Sequence, residues 1–232
     1  MAKKKKQDEG IEILENPEVL ANKAEEFLND KKNQTLVFGI GGIILGLVAV
    51  FFAYKYYINN QNKEAQEEMF QAVFYFEADS LGKALNGDGL NYGFLDIIGD
   101  YSGTDAANLA NFYTGATYLK LGDFTSAIRY LGDFSSDDYL VQARAYSLIG
   151  DANMELGNFS EAAEQYGKAA NYQSNKQYSP IYLQKKAIAL ENDDKFTQAA
   201  AAYGEVLSDF AGSSLVQEAK KHKARLEGLA AQ

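Results

Sequence analysis

The sequence predicts an all-α protein: a single N-terminal transmembrane helix followed by a solenoid of paired helices. Three observations carry this. Leu36 to Tyr54 runs 19 residues without a charge. Beyond Asn59, a unit of two helical stretches joined by L-G-D/N-F recurs. Only two prolines accompany 20 glycines, 16 Tyr and 14 Phe, as expected of helices joined by glycine turns.

The apolar run comes first. A bilayer core about 30 Å thick needs roughly 20 such residues in a helix. Lys31 and Lys32 precede the run, and Tyr54, Lys55, Tyr56 and Tyr57 follow it, the pattern of an interfacial belt. A buried core helix and a cleaved signal peptide are the alternatives. Residues 1–35 are long for an n-region and no small-x-small cleavage site follows, which favours an uncleaved anchor. Lysines set the direction. Lys3 to Lys6, Lys23, Lys31 and Lys32 stand before the span, and only Lys55 and Lys63 close after it. The N-terminus is therefore expected in the cytoplasm and the C-terminal bulk in the periplasm of a bacterium, with the span in the inner membrane.

Gly42, Gly46, Ala49 and Ala53 fall on one side of the span, where small residues let another helix backbone approach. Ahead of the span, Asn16-Pro17 reads as a helix N-cap and first position. Leu20, Ala24, Phe27 and Leu28 then make an apolar stripe, and Lys3 to Lys6 suit anionic membrane lipid. A solvated tail is the competing reading of this segment.

Charge narrows the function classes. Lys plus Arg is 22 against 32 Asp plus Glu, a net charge of −10. That acidity argues against nucleic acid as a partner. With no cysteine and one histidine, His222, thiolate sites, cysteine nucleophiles and multi-histidine metal sites are excluded.

The repeats are clearest from Asn108 (NLANFYTGATYLKLGDFTSAIRYLGDF), Ala143 (ARAYSLIGDANMELGNFSEAAEQYGKA) and Pro180 (PIYLQKKAIALENDDKFTQAAAAYGEV). Small residues recur in the first helix at Gly115, Gly150 and Ala187, and in the second at Ala127, Ala162 and Ala199. Large ones follow at Leu131, Tyr166 and Tyr203, and Asp194 replaces the turn glycine of the third unit. Small residues permit close helix crossing and large ones fill the next gap. These units resemble tetratricopeptide repeats, whose period is about 34 residues, over roughly Asn108 to Phe210. The helix-ending proline of that family is absent from all three.

The expected organisation is a tail over 1–35, the membrane helix over 36–58, and a linker helix with a degenerate first repeat over 59–107. Repeats follow over 108–212, then a capping helix over 213–232. Within 59–107, Ala65 to Asp79 is read as a helix, Ser80 to Gly89 as a loop, and Leu90 to Tyr101 as a second helix.

No catalytic constellation, cofactor motif or metal-ligand set emerges, so a non-enzyme with no cofactor is expected. The clusters Asp133, Asp137, Asp138 and Asp193, Asp194 read as loop and capping residues. Asp79-Ser80-Leu81 has the form of a short O-glycosylation sequon of some exported bacterial proteins.

The repeat resemblance implies a concave protein-binding face formed by four positions of each first helix. These are Leu109, Phe112, Ala116 and Leu119; Arg144, Ser147, Asp151 and Met154; Ile181, Gln184, Ile188 and Glu191. Core packing is the competing reading of the apolar ones. The whole layout also resembles the YfgM-like ancillary subunits of the Sec translocon. That resemblance implies a scaffold that binds the SecYEG translocon and a membrane-anchored periplasmic chaperone of the prolyl-isomerase class. A structural adaptor of another envelope complex is the alternative.

Overall fold

The structure, a computed structural model, describes residues 17–231. Lys3 to Lys6 and Asn16 lie outside them. Eleven helices and no strand occur among the described residues. Contacts divide the chain into two compact units that meet between Tyr57 and Ile58.

The first unit holds α1 (Pro17–Asn29) and the beginning of α2 (Lys31–Glu77). Asp30 separates the two helices, and its carboxylate accepts the Lys32 amide at 2.9 Å, capping α2. Ala24, Phe27 and Leu28 of α1 are exposed. The apolar stretch of α2 is long enough to cross a membrane, and none of its most apolar window is buried in the protein. A core helix of a soluble domain would be covered; this one is not.

The second unit begins with the rest of α2, from Ile58. Two short helices follow, α3 (Leu81–Asn86) and α4 (Phe94–Asp100). Three helical hairpins come next: α5 (Asp105–Leu121) with α6 (Phe124–Asp133), α7 (Tyr139–Glu155) with α8 (Phe159–Asn171), and α9 (Ser179–Asn192) with α10 (Phe196–Asp209). The last helix is α11 (Val216–Ala230). Each hairpin packs on the next, and α11 packs on α10.

Local chemistry sets the boundaries. Thr104, Asp123 and Asp138 each accept backbone amides at the first turns of α5, α6 and α7. The hairpin turns share one backbone motif. Gly122 donates to Leu119 O at 3.2 Å and Asp123 to Tyr118 O at 3.0 Å. Gly157 with Asn158, and Asp194 with Lys195, make the same pair of bonds to the helices before them. The first residue of each pair is left-handed, with φ of 82°, 75° and 54°. This motif satisfies carbonyls that a helix end would otherwise leave open. It occurs a fourth time at the end of α2. Asp79 (φ 55°) donates to Phe76 O and Ser80 to Tyr75 O.

Helix crossings follow the small residues. A Cβ on Gly115 would lie 2.5 Å from Leu131 Cγ and 3.0 Å from Ala127 O, both of α6. On Gly150 it would lie 2.6 Å from the Tyr166 ring. The core is thus a chain of alanine and glycine crossings plugged by Leu131, Tyr166 and Tyr203, all buried.

Two boundaries differ from the sequence reading. The Ser80–Gly89 loop contains α3, and the helix expected from Leu90 starts at Phe94. The reason is a tight loop. A Cβ on Gly93 would lie 2.3 Å from both Gly87 N and Leu85 O, and the Gly93 amide is taken by Asp96 Oδ2 at 2.9 Å. Residues 88–92 therefore loop out, closed by Asp88, which accepts from Leu90 N, Asn91 N and the Tyr75 hydroxyl.

Candidate functional site

The first helices α7, α9 and α11 share a polar ladder. Lys185 Nζ contacts both carboxylate oxygens of Asp151 at 2.7 and 2.9 Å, and reaches Ser147 Oγ at 3.3 Å. Gln184 donates to Glu218 at 3.0 Å, and Arg225 to Glu191 at 2.7 Å. Each rung joins residues 34 apart. The third repeat lies 37 residues after the second, as Gly150 and Ala187 show, so each partner sits about one helical turn early. Such a stagger brings side chains on neighbouring, similarly directed helices into reach.

Electrostatics fix the rungs. The Tyr166 hydroxyl donates to Asp151 at 2.6 Å, and the Lys185 ammonium lies 5.4 Å from the Tyr166 ring centroid. Burial, then the bond to Asp151, pushes the Tyr166 phenol well above its usual range. The bond from Arg225 holds the Glu191 carboxyl below its ordinary value.

The structure separates the twelve residues assigned to a concave face. Leu109, Phe112 and Leu119 are half-buried and Ala116 is buried, all packed with Leu131, Phe134 and Leu148. The Phe112 ring lies 5.3 Å from that of Phe134. These four serve the junction between the first two hairpins. In α7, Arg144 is exposed, Asp151 and Met154 are half-buried, and Ser147 has no exposed surface. In α9, Ile181 and Ile188 are each 42% exposed, with Gln184 and Glu191 half-buried beside them. An open face thus centres on α9. Lys185, Glu218 and Arg225, which complete its rungs, escaped sequence reasoning; their signal is charge one turn ahead of an opposite charge in the preceding repeat.

The other marked residues have local roles. Gly42, Gly46, Ala49 and Ala53 are exposed, and a Cβ on Gly42 or Gly46 would meet nothing within 4 Å. Asp138 caps α7, and Asp193 pairs with Lys195 at 2.7 Å. His222 stacks on Tyr203, ring centroids 5.3 Å apart. Ser80 is half-buried, and the Asp79 carboxylate before it is engaged by Lys120 at 2.7 Å. No cluster of three potential metal ligands occurs among the described residues.

With the hairpins, turns and crossings in place, one comparison bears on the middle of the stack. Residues 114–177 match the tetratricopeptide repeat family model. Over those residues the hairpins are tetratricopeptide repeats. The matched segment runs from within α5 to the loop after α8 and contains both glycine turns. No curated protein matches the chain. Tetratricopeptide repeats form interaction scaffolds, typically without catalysis, because their product is an extended surface.

Proposed function

We propose that the protein is a membrane-anchored scaffold at the Sec translocon. It binds the channel and a membrane-anchored periplasmic prolyl-isomerase-type chaperone, and assists transfer of newly translocated chains. One observation carries the scaffold part: an open repeat face where Asp151 and Glu191 are already paired with Lys185 and Arg225 and the apolar groups Ile181 and Ile188 are left exposed. Neutralised rungs avoid stranding a charge when a partner covers them, so apolar contact sets affinity. The translocon assignment rests on the layout: lysine-rich tail, one candidate span, acidic repeat domain.

In this reading residues 1–35 form the cytoplasmic tail and 36–58 the membrane helix. Residues 59–107 link it to the repeats of 108–212, and 213–232 cap them. The lysine asymmetry puts the repeats in the periplasm and the span in the inner membrane. Gly42, Gly46, Ala49 and Ala53 dock a channel helix, and Arg144, Ile181 and Ile188 contact the chaperone or client. The mechanism is binding, without a chemical step.

The test is extraction of the tagged full chain from its host in mild detergent, with co-purifying proteins identified by mass spectrometry. Channel subunits and a periplasmic chaperone are expected. Gly42→Leu with Gly46→Leu should lose the channel, and Ile181→Ser with Ile188→Ser the chaperone. A different envelope complex in the wild-type sample would refute the translocon assignment and favour the adaptor reading.

A further inference from the structure

Every repeat helix that follows another repeat turns one side back toward it, and that side is buried. Ala110 and Thr117 mark it in α5, Ala145 and Ala152 in α7, Ala219 and Leu226 in α11. Ring contacts confirm the direction: Tyr113 of α5 lies against Phe76 of α2, and His222 of α11 against Tyr203 of α10.

The register of α2 follows from its end. The Asp79 turn has the same two hydrogen bonds as the Gly122 turn. A shift of 43 residues, from Gly122 to Asp79, therefore superposes α5 on α2. It carries Gly115 onto Ala72, which is fully buried as a crossing residue must be. It carries Ala110, Tyr113 and Thr117 onto Glu67, Phe70 and Phe74. In α2 this side is open: Phe70 is 73% exposed and Phe74 55%. The first helix of the stack presents a stacking surface, and two phenylalanines occupy its centre. At the other end, α11 faces outward with Gln217, Lys220 and Lys221, the polar finish that a solenoid end requires.

We propose that this side of α2 docks an amphipathic helix from a partner protein, one that carries basic residues beside its apolar stripe. Position argues for a helix, because the equivalent side of every later repeat helix receives one. Charge argues for a basic partner. On this side of α2 Glu67 and Glu77 stand against one cation, Lys63, and beyond Asn59 the chain carries 24 Asp plus Glu against 14 Lys plus Arg. An anionic bilayer surface is repelled by so acidic a unit, and a second copy would bring like charge to like. Phe70 and Phe74, one turn apart, are the anchors; aromatic anchors within a polar rim dominate the energy of such contacts. The proposal is independent of the translocon reading and of the α9 face.

A photoreactive benzoyl-phenylalanine at position 70 of the full chain, irradiated in its own membranes, tests it. The cross-linked partner segment is sequenced by tandem mass spectrometry. The expected segment has apolar residues at helical spacing and net positive charge. Its yield should fall about tenfold with Phe74→Ser, and by a similar factor with Glu67→Lys plus Glu77→Lys, as loss of an anchor or of rim attraction implies. All three sites are exposed, so helical content should be unchanged by circular dichroism. Cross-links to lipid, to this same chain or a second copy, or to an acidic or extended segment would overturn the proposal. So would the absence of any protein cross-link, or a yield indifferent to charge reversal.

Discussion

At the residue scale, Asp194 shows how a repeat tolerates an unsuitable side chain. Its φ of 54° is the conformation that Gly122 and Gly157 supply in the earlier turns. A side chain in this region costs roughly 1–2 kcal/mol, less for Asp than for most residues. Asp194→Gly should therefore stabilise the repeats by about 0.5–1 kcal/mol, even after glycine's greater freedom in the unfolded chain. Thermal melting of the full chain in detergent checks the sign; a lower midpoint would contradict it. Asp88 gives a pH prediction. The Tyr75 hydroxyl and then the Asn91 and Leu90 amides hold its carboxyl below the carboxylate range. A depressed folded pKa stabilises fully above the unfolded value, about 3.9, and the contribution is lost as pH falls below it. The melting temperature of the wild type should thus fall more steeply below about pH 3.9 than that of Asp88→Asn. Parallel curves would exclude the role given to Asp88.

At the element scale, most of the fold was legible because each hairpin repeats the same local rules. Small crossing residues, a large plug and a left-handed turn residue are all written at fixed intervals. Even the third turn was readable through Phe196, with Asp194 in the glycine's place. The loop before α4 was not, since its shape depends on the contact of Gly87 with Gly93, six residues apart. The exposure of the twelve first-helix positions was legible only by half. Leu109 occupies the same helix position as Arg144, yet it packs against Phe134 and its neighbours while Arg144 is exposed. A helix inside a solenoid meets neighbours on several sides, and periodicity does not say which position a neighbour reaches. The rung from Asp151 to Lys185 is the element-scale interaction to test. Both side chains are about 30% exposed, and the geometry is two-pronged. A double-mutant cycle with Asp151→Ala and Lys185→Ala should give a coupling of about 1–2 kcal/mol. A coupling near zero would class the rung with ordinary surface pairs.

At the scale of the whole repeat unit, from Ile58 onward, stability is a sum over neighbours. Each hairpin contacts the one before and the one after, so damage at one end should stay near that end. The C-terminal end shows this best. Leu226 and Ala219 of α11 are buried in the cluster that holds Tyr203 and Val206 of α10. The His222 ring covers the outer side of Tyr203. Leu226→Ala removes a fully buried side chain and should cost roughly 2–4 kcal/mol locally. Because α11 has one neighbouring hairpin and α7 has two, that cost should appear as easier opening of α11 and α10 rather than of the whole unit. Hydrogen exchange followed by mass spectrometry reads the gradient. Amides of α10 and α11 should lose most protection, those of α9 less, and those of α5 and α6 almost none. Equal loss from α5 to α11 would mean that the repeats open as one cooperative block. The α9 face would then depend on both ends of the stack, and not only on the hairpins beside it.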